Sequence, residues 1–418
     1  MKAPLLIMGG RMRIAACADL HLDRIPSFMD GFDQASGHYA IDELTEYLIN
    51  NNYDVLLLCG DVMDREESWY SCYGPLVSNL SRLKKAGINV IGVAGNHDAN
   101  VFSQIAKSDS DKLTILGRHG EWEYEDYNGI RFVGWSFSDS WEKSDPMKSY
   151  PVKFGETSMP VIGLLHCDVN DSPVSSKYAG VLTRELEESN VKIWMLGHIH
   201  APNSNGKIHY CGSPYPLDRS ETGFHGMWSF EVVDGVVSCP EFIHLSSTVY
   251  YSCNVDITGV KDEEEFQSRI LKSCQETADR ISSEAKIPLK RLIFELVLSG
   301  DLASELDMEA LLHSGDGILN YSFEKDEVSI SISNVKDETQ LALDLNDLAR
   351  KPGPIGALAR TLLYPSQEVL DKMIMKLGQM KTIQAFSSMS YCTEDAEKYL
   401  KAAGKKLLHQ MLEQEAKR

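Results

Sequence analysis

The amino-acid sequence predicts an α/β layered fold, in which β-sheets are covered by helices, followed by two smaller parts. Over roughly the first 245 residues, short apolar runs alternate with amphipathic segments, which is the pattern of layered sheets and helices. After about residue 250 the pattern becomes β-α-β, and after about residue 335 it becomes helical. We therefore expect three parts, residues 1–248, 249–333 and 334–418.

Seven apolar runs in the first part have the composition of buried strands. Each is short, apolar or β-branched, and bounded by Gly, Asp or Asn, as strands commonly are. The runs are RIAAC (13–17), DVLLLC (54–59), NVIGVA (89–94), RFVGW (131–135), VIGLL (161–165), KIWML (192–196) and IHYC (208–211).

Amphipathic segments between these runs predict helices that cover the sheets. In each segment the apolar residues recur every three or four positions and so fall on one helical face. The positions are Ile41, Leu44 and Leu48 in one segment and Leu76, Leu80 and Leu83 in another.

The second part reads as a small α+β domain. The strand-like run YYSCNVDI (250–257) leads to Asp262 and an acid-rich turn, which are signals for the start of a helix. The apolar face of that helix is formed by Phe266, Ile270, Cys274, Ala278, Ile281 and Ala285. Pro288 ends the helix, and RLIFELVL (291–298) reads as another strand.

The third part is expected to be helical. SQEVLDKMIMKLGQM (366–380) and TEDAEKYLKAAGKKLLHQMLEQEAK (393–417) begin with helix-start residues and carry periodic apolar positions. ARKPGPIGA (349–357) predicts a break between helices. Leu370 and Met373, with Leu377 and Met380, form a seam of the kind seen in coiled coils, which suits packing within the domain or docking of a partner.

Composition and charge limit the possible functions. Hydrophobic residues make up 43% of the chain and charged residues 24%, and no apolar run is long enough to cross a membrane. The N-terminus has only a very short apolar run, which makes a poor signal peptide. A net charge of −20 argues against a surface built for non-specific DNA binding. It still permits a local basic groove, or a site where divalent cations supply positive charge.

The nine cysteines indicate a reducing compartment. They include no C-x-x-C pair, which disfavours a zinc ribbon or a thioredoxin-like motif. Their number is odd, and several lie inside apolar runs, as Cys59 does in VLLLCGD. Buried free thiols and a cytoplasmic location are the simplest interpretation.

Five short stretches each place metal-capable residues directly after an apolar strand. In open α/β sheets, ligands bind at the carboxyl ends of the strands, so five such ends predict a common site. The stretches are ADLHLD (18–23), CGDVMD (59–64), AGNHD (94–98), GLLHCD (163–168) and LGHIH (196–200).

The residue types in these stretches predict two metal ions. Asp19 and His21 are two positions apart and project to the same side of an extended strand end, and His198 and His200 repeat that spacing. The carboxylate of Asp61 has two oxygens that can bridge two cations. The predicted ligands are Asp19, His21, Asp61, Asn96, His166, His198 and His200. This oxygen and nitrogen set suits Mn²⁺ first, or Fe²⁺ or Zn²⁺, better than Ca²⁺ or Mg²⁺. Two such ions about 3.5–4 Å apart are a known device for phosphoester hydrolysis.

His97 and Asp98 are the predicted catalytic residues. His97 is not needed as a ligand, so it is free to protonate a leaving alkoxide or to stabilise the phosphorane. Asp98 is predicted to orient the His97 ring, and Gly95 to allow a sharp exit from the strand. A single histidine at a strand end is more often structural than functional. All five stretches together, each behind an apolar run, favour the dinuclear site.

As a set, the five stretches resemble the signature of calcineurin-like metallophosphoesterases: D-x-H, G-D-x-x-D, G-N-H-D, an isolated H after a strand, and G-H-x-H. The resemblance covers roughly residues 13–200. It implies a β-sandwich flanked by helices rather than a doubly wound sheet. It also implies one metal held by Asp19, His21, Asp61 and His200, and a second held by Asp61, Asn96, His166 and His198.

A second resemblance concerns YCGSPYPLDRSETGFHG (210–226). It is similar to the P-G-S-x-x-x element, followed by an acidic residue, that closes the nuclease domain of SbcD-type DNA repair exonucleases. Its ETG-x-x-G tail resembles the bacterial YhaO branch. The resemblance implies a nuclease domain in residues 1–248 and a capping domain in residues 249–333. It also implies C-terminal helices that dock an SMC-like ATPase, and a homodimer. Cys211 and the motif GDVMD depart from the common family pattern, but neither removes a ligand.

Three residues near the motifs are candidates for contact with substrate. Ser213 offers its hydroxyl or its backbone N–H to a phosphate, although a plain turn residue fits equally well. Arg65 and Arg219 are candidate contacts to a nucleic-acid backbone, against the alternative that each is solvated surface charge.

The sequence thus favours a metal-dependent DNA nuclease, an exonuclease with or without single-strand endonuclease activity. A phosphatase or small-molecule phosphodiesterase keeps the same chemistry with another substrate, and the acidic composition suits it. A non-enzymatic scaffold is the third hypothesis, but such proteins are expected to lose ligands, and all seven are present together with His97.

Overall fold

The structure, a computed structural model, describes residues 10–27, 37–64, 69–99, 112–141, 143–169, 178–303, 306–313, 318–319, 321–379 and 393–416. The chain divides into two compact units. The first comprises Met1–Cys253, Cys274–Glu295 and Leu319–Asn334, and the second comprises Asn254–Ser273, Leu296–Ile318 and Val335–Arg418.

The elements are numbered in chain order. The strands are β1 (Arg11–Cys17), β2 (Val55–Cys59), β3 (Asn89–Val93), β4 (Thr114–Ile115), β5 (Glu123–Tyr127), β6 (Ile130–Trp135), β7 (Val161–His166), β8 (Asp168–Val169), β9 (Gly180–Val181), β10 (Ile193–Gly197), β11 (Asn203–Asn205), β12 (Ile208–Tyr210), β13 (Gly226–Val233), β14 (Val236–Val237), β15 (Glu241–His244), β16 (Thr248–Asp256), β17 (Arg291–Ser299), β18 (Asp301–Leu302), β19 (Ser322–Lys325), β20 (Val328–Asp337) and β21 (Gln340–Leu341). The α-helices are α1 (Gly37–Asn50), α2 (Trp69–Lys85), α3 (Thr183–Glu188), α4 (Glu263–Glu284), α5 (Met308–His313), α6 (Leu345–Arg350), α7 (Gly353–Leu363), α8 (Gln367–Gln379) and α9 (Thr393–Ala416).

Two large sheets dominate the first unit. Within the described ranges, one sheet has the order β14-β13-β1-β2-β3-β4, with β15 paired to β13, and the other has the order β11-β12-β10-β7-β6-β5. Strands β1 to β4 are parallel to one another, and so are β12, β10, β7 and β6. Antiparallel strands complete each sheet: β13 pairs with β1, β5 with β6 and β11 with β12.

The two sheets pack face to face around an apolar interior. Successive side chains of a strand point to opposite faces, so Ile14 and Ala16 of β1 lie in the interior with Phe132 of β6 and Ile162 of β7. The other face of β1 carries Ala15 and Cys17, which lie in a separate apolar cluster with residues of α1 and α2. Those helical residues include all six predicted positions, Ile41, Leu44, Leu48, Leu76, Leu80 and Leu83. The predicted layered α/β fold, with a β-sandwich flanked by helices, is confirmed.

The strands β16, β17, β20 and β19 form a smaller sheet in the order β16-β17-β20-β19. The predicted apolar face of α4 is buried at Phe266, Ile270, Cys274, Ala278 and Ile281. In the second unit, helices α6, α7 and α9 share a cluster of buried residues, Leu348, Ile355, Ala359, Leu362 and Leu408, which we call the helical cluster.

Most expected elements lie within a residue or two of their predicted bounds. The predicted helix 366–380 is α8, and the break predicted in 349–357 lies between α6 and α7. Strand β13 was not among the predicted strands, although it pairs with β1 along six residues. Of the seam on α8, Leu370 is buried, whereas the side chains of Leu377 and Met380 lie outside the described residues. Among the helices of the described chain, none is both long enough and apolar enough to cross a membrane.

Candidate metal centre

Five strands deliver the predicted ligands to one edge of the sandwich. In the first sheet the neighbouring parallel strands are β1, β2 and β3, and in the second they are β7 and β10. Parallel strands end at the same edge of a sheet, so the residues that follow them come together. His166 is the last residue of β7, and the other predicted ligands follow their strands: Asp19, His21, Asp61, Asn96, His198 and His200.

The backbone turns sharply at four of these ligands. The φ angle is +52° at Asp19, +40° at His21, +51° at Asp61 and +93° at His198, all in the left-handed region. Each such conformation costs on the order of 1–3 kcal/mol in a non-glycine residue, and such residues cluster at functional sites. Hydrogen bonds hold the turns, since the Asp19 N–H donates to the Gly60 carbonyl and the His21 N–H to the Asp61 carbonyl, each at 3.0 Å.

Two glycines of the motifs make room for the ligands. A Cβ at Gly95 would collide with the carboxylate and the backbone of Asp61. A Cβ at Gly197 would collide with the Cys59 carbonyl and lie 2.7 Å from Nδ1 of His166. Gly95 is therefore required for close packing, whereas the sequence suggested a sharp exit from the strand.

Three overlapping groups of side chains have ligand atoms within 4.8 Å of one another. The groups are Asp19, His21 and His200; His21, Asp61 and His97; and Asp19, Asp61 and His166. Because they share members, they form one connected set, which we call the strand-end cluster. His97 is its exposed member, whereas Asp19, His21, Asp61 and His166 are buried.

The surroundings of His166 fit a cation. Its Nδ1 lies 3.0 Å from the Cys59 carbonyl, which can only accept, so Nδ1 carries the proton and the neutral ring has its lone pair on Nε2. Nε2 lies 3.3 Å from Oδ2 of Asp61 and 3.1 Å from Oδ1 of Asn96. Three lone-pair atoms repel one another unless positive charge lies among them. A divalent ion bound by imidazole, carboxylate and amide oxygen meets that requirement.

The pKa values of His166 and Asp61 indicate that their surroundings favour a positive charge between them. Burial acts to lower the pKa of His166, but the adjacent Asp61 carboxylate raises it to about 9. Burial acts to raise the pKa of Asp61, but the charge of His166 and its hydrogen bond lower it. A metal that binds here must therefore displace a proton.

A carboxylate behind His200 orients its ring. Nδ1 of His200 donates to Oε1 of Glu221 at 2.7 Å, so Nε2 carries the lone pair, 3.2 Å from Nε2 of His21 and 3.9 Å from Oδ1 of Asp19. Burial acts to lower the pKa of His200, but Glu221 and Asp19 raise it. Burial acts to raise the pKa of Glu221, but the hydrogen bond and charge of His200 lower it. Carboxylates that hold metal-binding imidazoles have this arrangement.

Glu221 and Asp64 are functional candidates that were missing from the predicted site residues. Oδ1 of Asp64 lies 3.1 Å from Nδ1 of His21, and its backbone carbonyl accepts a hydrogen bond from Nδ1 of His97 at 2.6 Å. Burial acts to raise the pKa of Asp64, but the adjacent His21 imidazole lowers it. Both residues left a signal in the sequence. Asp64 is the second acid of G-D-x-x-D, and Glu221 is the acid of ETG-x-x-G.

His97 lies at the exposed rim of the cluster. Its ring centroid is 4.9 Å from that of His21, with the planes at 85°, and its backbone N–H donates to Oδ1 of Asp61 at 2.9 Å. The Asp64 carbonyl fixes Nδ1 as a donor, so Nε2 is the atom available for proton exchange.

Asp98 has a task different from the one predicted. Its Oδ2 accepts a hydrogen bond from the Val62 N–H at 2.6 Å, and its Oδ1 accepts one from the Gly95 N–H at 2.7 Å. Asp98 therefore links the loop after β2 to the loop after β3. It is fully buried, and these backbone donors would be costly to leave unpaired. The backbone carbonyl of Asp64 therefore orients the His97 ring, which is the role that the sequence predicted for Asp98. Burial and the charge of Asp61 raise the pKa of Asp98 to about 7.

His198 lies beside the three groups. Its backbone N–H is shared between the carboxylate oxygens of Asp19, at 3.1 and 3.2 Å, and its ring centroid is 5.3 Å from that of His166. Burial and the charge of His166 lower the pKa of His198 to about 4. The imidazole is therefore neutral at pH 7, the form that binds metals.

The predicted substrate contacts have different outcomes. Ser213 is fully buried, its N–H donates to the His200 carbonyl at 3.0 Å and its hydroxyl donates to Oε2 of Glu221 at 3.1 Å. Both groups offered to a phosphate are thus occupied, and Ser213 braces Glu221 instead. Arg219 is exposed in the loop between β12 and β13, and Arg65 lies outside the described residues.

The family model of the calcineurin-like phosphoesterases matches residues 12–202, a little under half of the chain. This range begins in β1, ends beyond His200 and contains all seven predicted ligands. Residues 12–202 form a calcineurin-like metallophosphoesterase domain. Phosphoesterases of this type use a dinuclear metal centre, and the strand-end cluster supplies candidate residues for it. Residues 12–202 are thus a domain of the dimetal hydrolase class.

The similarity to curated relatives extends over more of the chain than residues 12–202. The uncharacterized metallophosphoesterase YhaO of Bacillus subtilis is 22% identical over 291 residues, which cover 66% of this chain and 70% of YhaO. The DNA double-strand break repair protein Mre11 of Methanopyrus kandleri is 22% identical over 363 residues, which cover 73% of this chain and 76% of that protein. The protein of the same name from Nanoarchaeum equitans is 21% identical over 240 residues, covering 51% of this chain and 65% of its own.

Proposed function

We propose that the protein is a metal-dependent DNA nuclease, an exonuclease that hydrolyses phosphodiester bonds in DNA repair or processing. The observation that supports this choice is the extent of similarity to a DNA double-strand break repair protein. That similarity covers 73% of the chain and therefore runs well beyond the metallophosphoesterase domain of residues 12–202. The hydrolytic chemistry follows from the domain, and the DNA substrate is the proposed part.

The proposal assigns the ligands as the family resemblance implies. One ion would be held by Asp19, His21, Asp61 and His200, and a second by Asp61, Asn96, His166 and His198, with Mn²⁺ as the expected metal. When bound, such ions polarise phosphate oxygens and lower the pKa of water. Asp64 and Glu221 would hold the rings of His21 and His200, and Asp98 would keep the Asp61 and Asn96 loops in register.

His97 is proposed as the proton donor. It is the exposed member of the strand-end cluster, and its Nδ1 is fixed by the Asp64 carbonyl, so that the free Nε2 faces away from that contact. A protonated Nε2 can pass its proton to a leaving alkoxide, a role that contributes typically about 10²–10⁴-fold to a rate.

The test is cleavage of linear duplex DNA and of single-stranded circles with Mn²⁺, comparing the natural protein with His97→Ala. The matched control is His313→Ala, an exposed histidine on α5 outside the five motifs. We expect degradation of linear ends by the natural protein and the control, and a loss of about 10²-fold or more in His97→Ala. Cleavage of circles would reveal an added single-strand endonuclease activity.

Two results would contradict the proposal. Equal cleavage by His97→Ala would exclude the assigned role of that residue. A metal-loaded protein that hydrolyses a chromogenic phosphodiester but no form of DNA would exclude the nuclease.

A phosphatase or small-molecule phosphodiesterase is the second candidate. The net charge of −20 favours it, because a strongly acidic protein repels the phosphates of DNA. Comparing kcat/KM on a chromogenic phosphodiester, a phosphomonoester and a DNA hairpin separates the two functions. A preference for the monoester would replace the nuclease with the phosphatase.

The remaining features of the proposal concern organisation. We propose that residues 1–248 act as the nuclease domain, residues 249–333 as a capping domain, and the helices of 334–418 as the docking point for an SMC-like ATPase, with the chain as a homodimer. A cytoplasmic location is proposed from the eight free cysteines of the described chain, of which seven are buried.

A further inference from the structure

An aromatic path leads from the buried histidines of the metal centre to the protein surface. The ring centroids of His166 and His198 are 5.3 Å apart, those of His198 and Tyr178 are 5.1 Å apart, and those of Tyr178 and Trp141 are 5.9 Å apart. The last two rings are stacked, with 24° between their planes. The path begins at a fully buried ring and ends at Trp141, which is 66% exposed. We call this end the Trp141–Tyr178 platform.

Trp141 is far more exposed than four other tryptophans of the chain. Trp122, Trp135, Trp194 and Trp228 are each at most 9% exposed. A large aromatic side chain gains free energy when it leaves water, so a stacked pair with one exposed ring can gain it by binding a flat ligand. The position of this pair at the end of a path from His166 ties it to the metal centre.

We propose that the Trp141–Tyr178 platform binds a nucleobase by stacking, adjacent to the phosphate held at the metal centre. This deepens the proposed nuclease function and rests on it. Aromatic rings stack on any base, because every base has a π-face, so the contact tolerates sequence. Stacking also needs no positive charge, which suits a protein with a net charge of −20.

The chemistry near the platform favours a neutral ring over a charged ligand. The backbone N–H of Trp141 donates to the Asp139 carboxylate at 3.3 Å, and the charge of Asp168 acts on His198. These acids disfavour a phosphate directly on the platform. An aromatic face can also attract a cation, but the divalent ions of the adjacent centre would repel one. A nucleobase is compatible with both kinds of charge.

The experiment compares two single-stranded oligonucleotides that differ only in their bases. One carries normal bases, and the other carries abasic residues on both sides of the cleaved phosphodiester. The readout is the ratio of kcat/KM values for the two substrates, because a general folding defect lowers both values and leaves the ratio unchanged. The proteins are the natural chain, Trp141→Ala, Trp141→Phe, and Tyr364→Ala as a matched exposed aromatic residue from the second unit.

We expect the natural protein to prefer the base-bearing strand by about tenfold, the effect of one stacked base. Trp141→Ala should reduce this preference to near one, Trp141→Phe should keep most of it, and Tyr364→Ala should keep all of it. A preference that survives in Trp141→Ala would overturn the proposal. So would a change in the dimerisation constant of Trp141→Ala with no change in the ratio, which would make the platform a protein interface.

A second arm separates this proposal from the nuclease itself. Hydrolysis of a chromogenic phosphodiester without a base is inhibited with a deoxynucleoside monophosphate or with deoxyribose 5-phosphate. Stronger inhibition by the nucleotide, lost in Trp141→Ala, would support a nucleobase site even if DNA is not cleaved, and would identify a free nucleotide as the source of the base. Equal inhibition by the two compounds would overturn the nucleobase site, whatever the outcome with DNA.

Discussion

Most of the strand-end cluster around Asp61 and all of the helical cluster around Leu362 are buried, yet the two are built from opposite kinds of side chain. Leu362 and its neighbours are aliphatic, and each fully buried side chain of that kind stabilises the fold by about 1.5–3 kcal/mol. Asp19, Asp61 and His166 are ionisable, and burying such groups costs free energy unless they are paired. The helical cluster therefore exists for stability, and the strand-end cluster has to be explained by what it binds.

Backbone conformation adds to this contrast. Four predicted ligands have positive φ angles, namely Asp19, His21, Asp61 and His198. The helical cluster is instead made from the regular helices α6, α7 and α9. Strain and buried charge at the same residues mean that the site is pre-organised by the surrounding sandwich. Substitutions in the two clusters should consequently separate activity from stability.

The largest expected effect is that of Asp61→Asn. The amide keeps the shape of the side chain but removes the charge shared by both proposed metal positions. We expect kcat/KM on a chromogenic phosphodiester to fall by at least about 10³-fold, with less metal bound per chain. Because the pairing with His166 lowers the pKa of Asp61 and so stabilises the folded chain, the unfolding temperature should fall modestly. Kinetics, metal analysis and calorimetry measure the three quantities. Full activity, or severe destabilisation, would remove the contrast between the clusters.

The converse change is Leu362→Ala in the helical cluster. Leu362 is fully buried, and its side chain lies so close to Gly404 that a Cβ there would collide with it. Truncation of Leu362 to alanine therefore leaves a cavity. We expect a loss of about 2–5 kcal/mol in the free energy of unfolding, measured by chemical denaturation, with activity per folded molecule retained. Leu407→Ala, at a position 48% exposed on α9, is the control and should stay within about 0.5 kcal/mol. A similar loss in both variants would show that burial is not the cause.

A smaller effect is expected for Glu221→Gln. The carboxylate fixes the proton on Nδ1 of His200, and removing its charge should weaken metal binding by about 10–100-fold without unfolding the protein. Activity should return when the metal concentration is raised. Glu284→Gln, on the exposed surface of α4, should bind metal as the natural protein does. An activity loss that excess metal does not reverse would point to a direct role for Glu221 in the reaction.

The smallest effect concerns a buried histidine outside the strand-end cluster. Burial lowers the pKa of His209, whose ring is 5.0 Å from that of Trp228. Below its unfolded pKa, near 6.5, the unfolded chain takes up a proton that the folded chain resists, so the free energy of unfolding falls as the pH falls. Denaturation at pH 7.5 and pH 5.5 should show a smaller decrease for His209→Phe than for the natural protein. An identical decrease would assign the acid sensitivity to other groups.

Much of the fold was predictable because local patterns carry it. The apolar runs became β1, β2, β3, β6, β7, β10 and β12, and the helical positions from Ile41 to Leu83 form one face of the core. Strand β13 was missed although GMWSFEVV (226–233), bounded by Gly226 and Asp234, carries the local pattern of a strand. Its antiparallel pairing with β1, more than two hundred residues away, has no local signal. Pairing at that distance depends on which strand edges remain open after the parallel strands have assembled.

The sequence by itself determined the five metal-capable stretches, their place behind apolar strands and the fold class that brings strand ends together. Only the tertiary structure decided which group serves which. In the folded chain Asp98 accepts backbone N–H groups, and the Ser213 hydroxyl donates to Glu221. Nδ1 of His97 donates to the Asp64 carbonyl, and Nδ1 of His200 donates to Glu221. The tertiary structure also brought His21 within 3.2 Å of His200, 179 residues along the chain. The physical reason is that residue type and spacing specify which chemistry a side chain offers, whereas its hydrogen-bond partner depends on the donors and acceptors that packing leaves beside it.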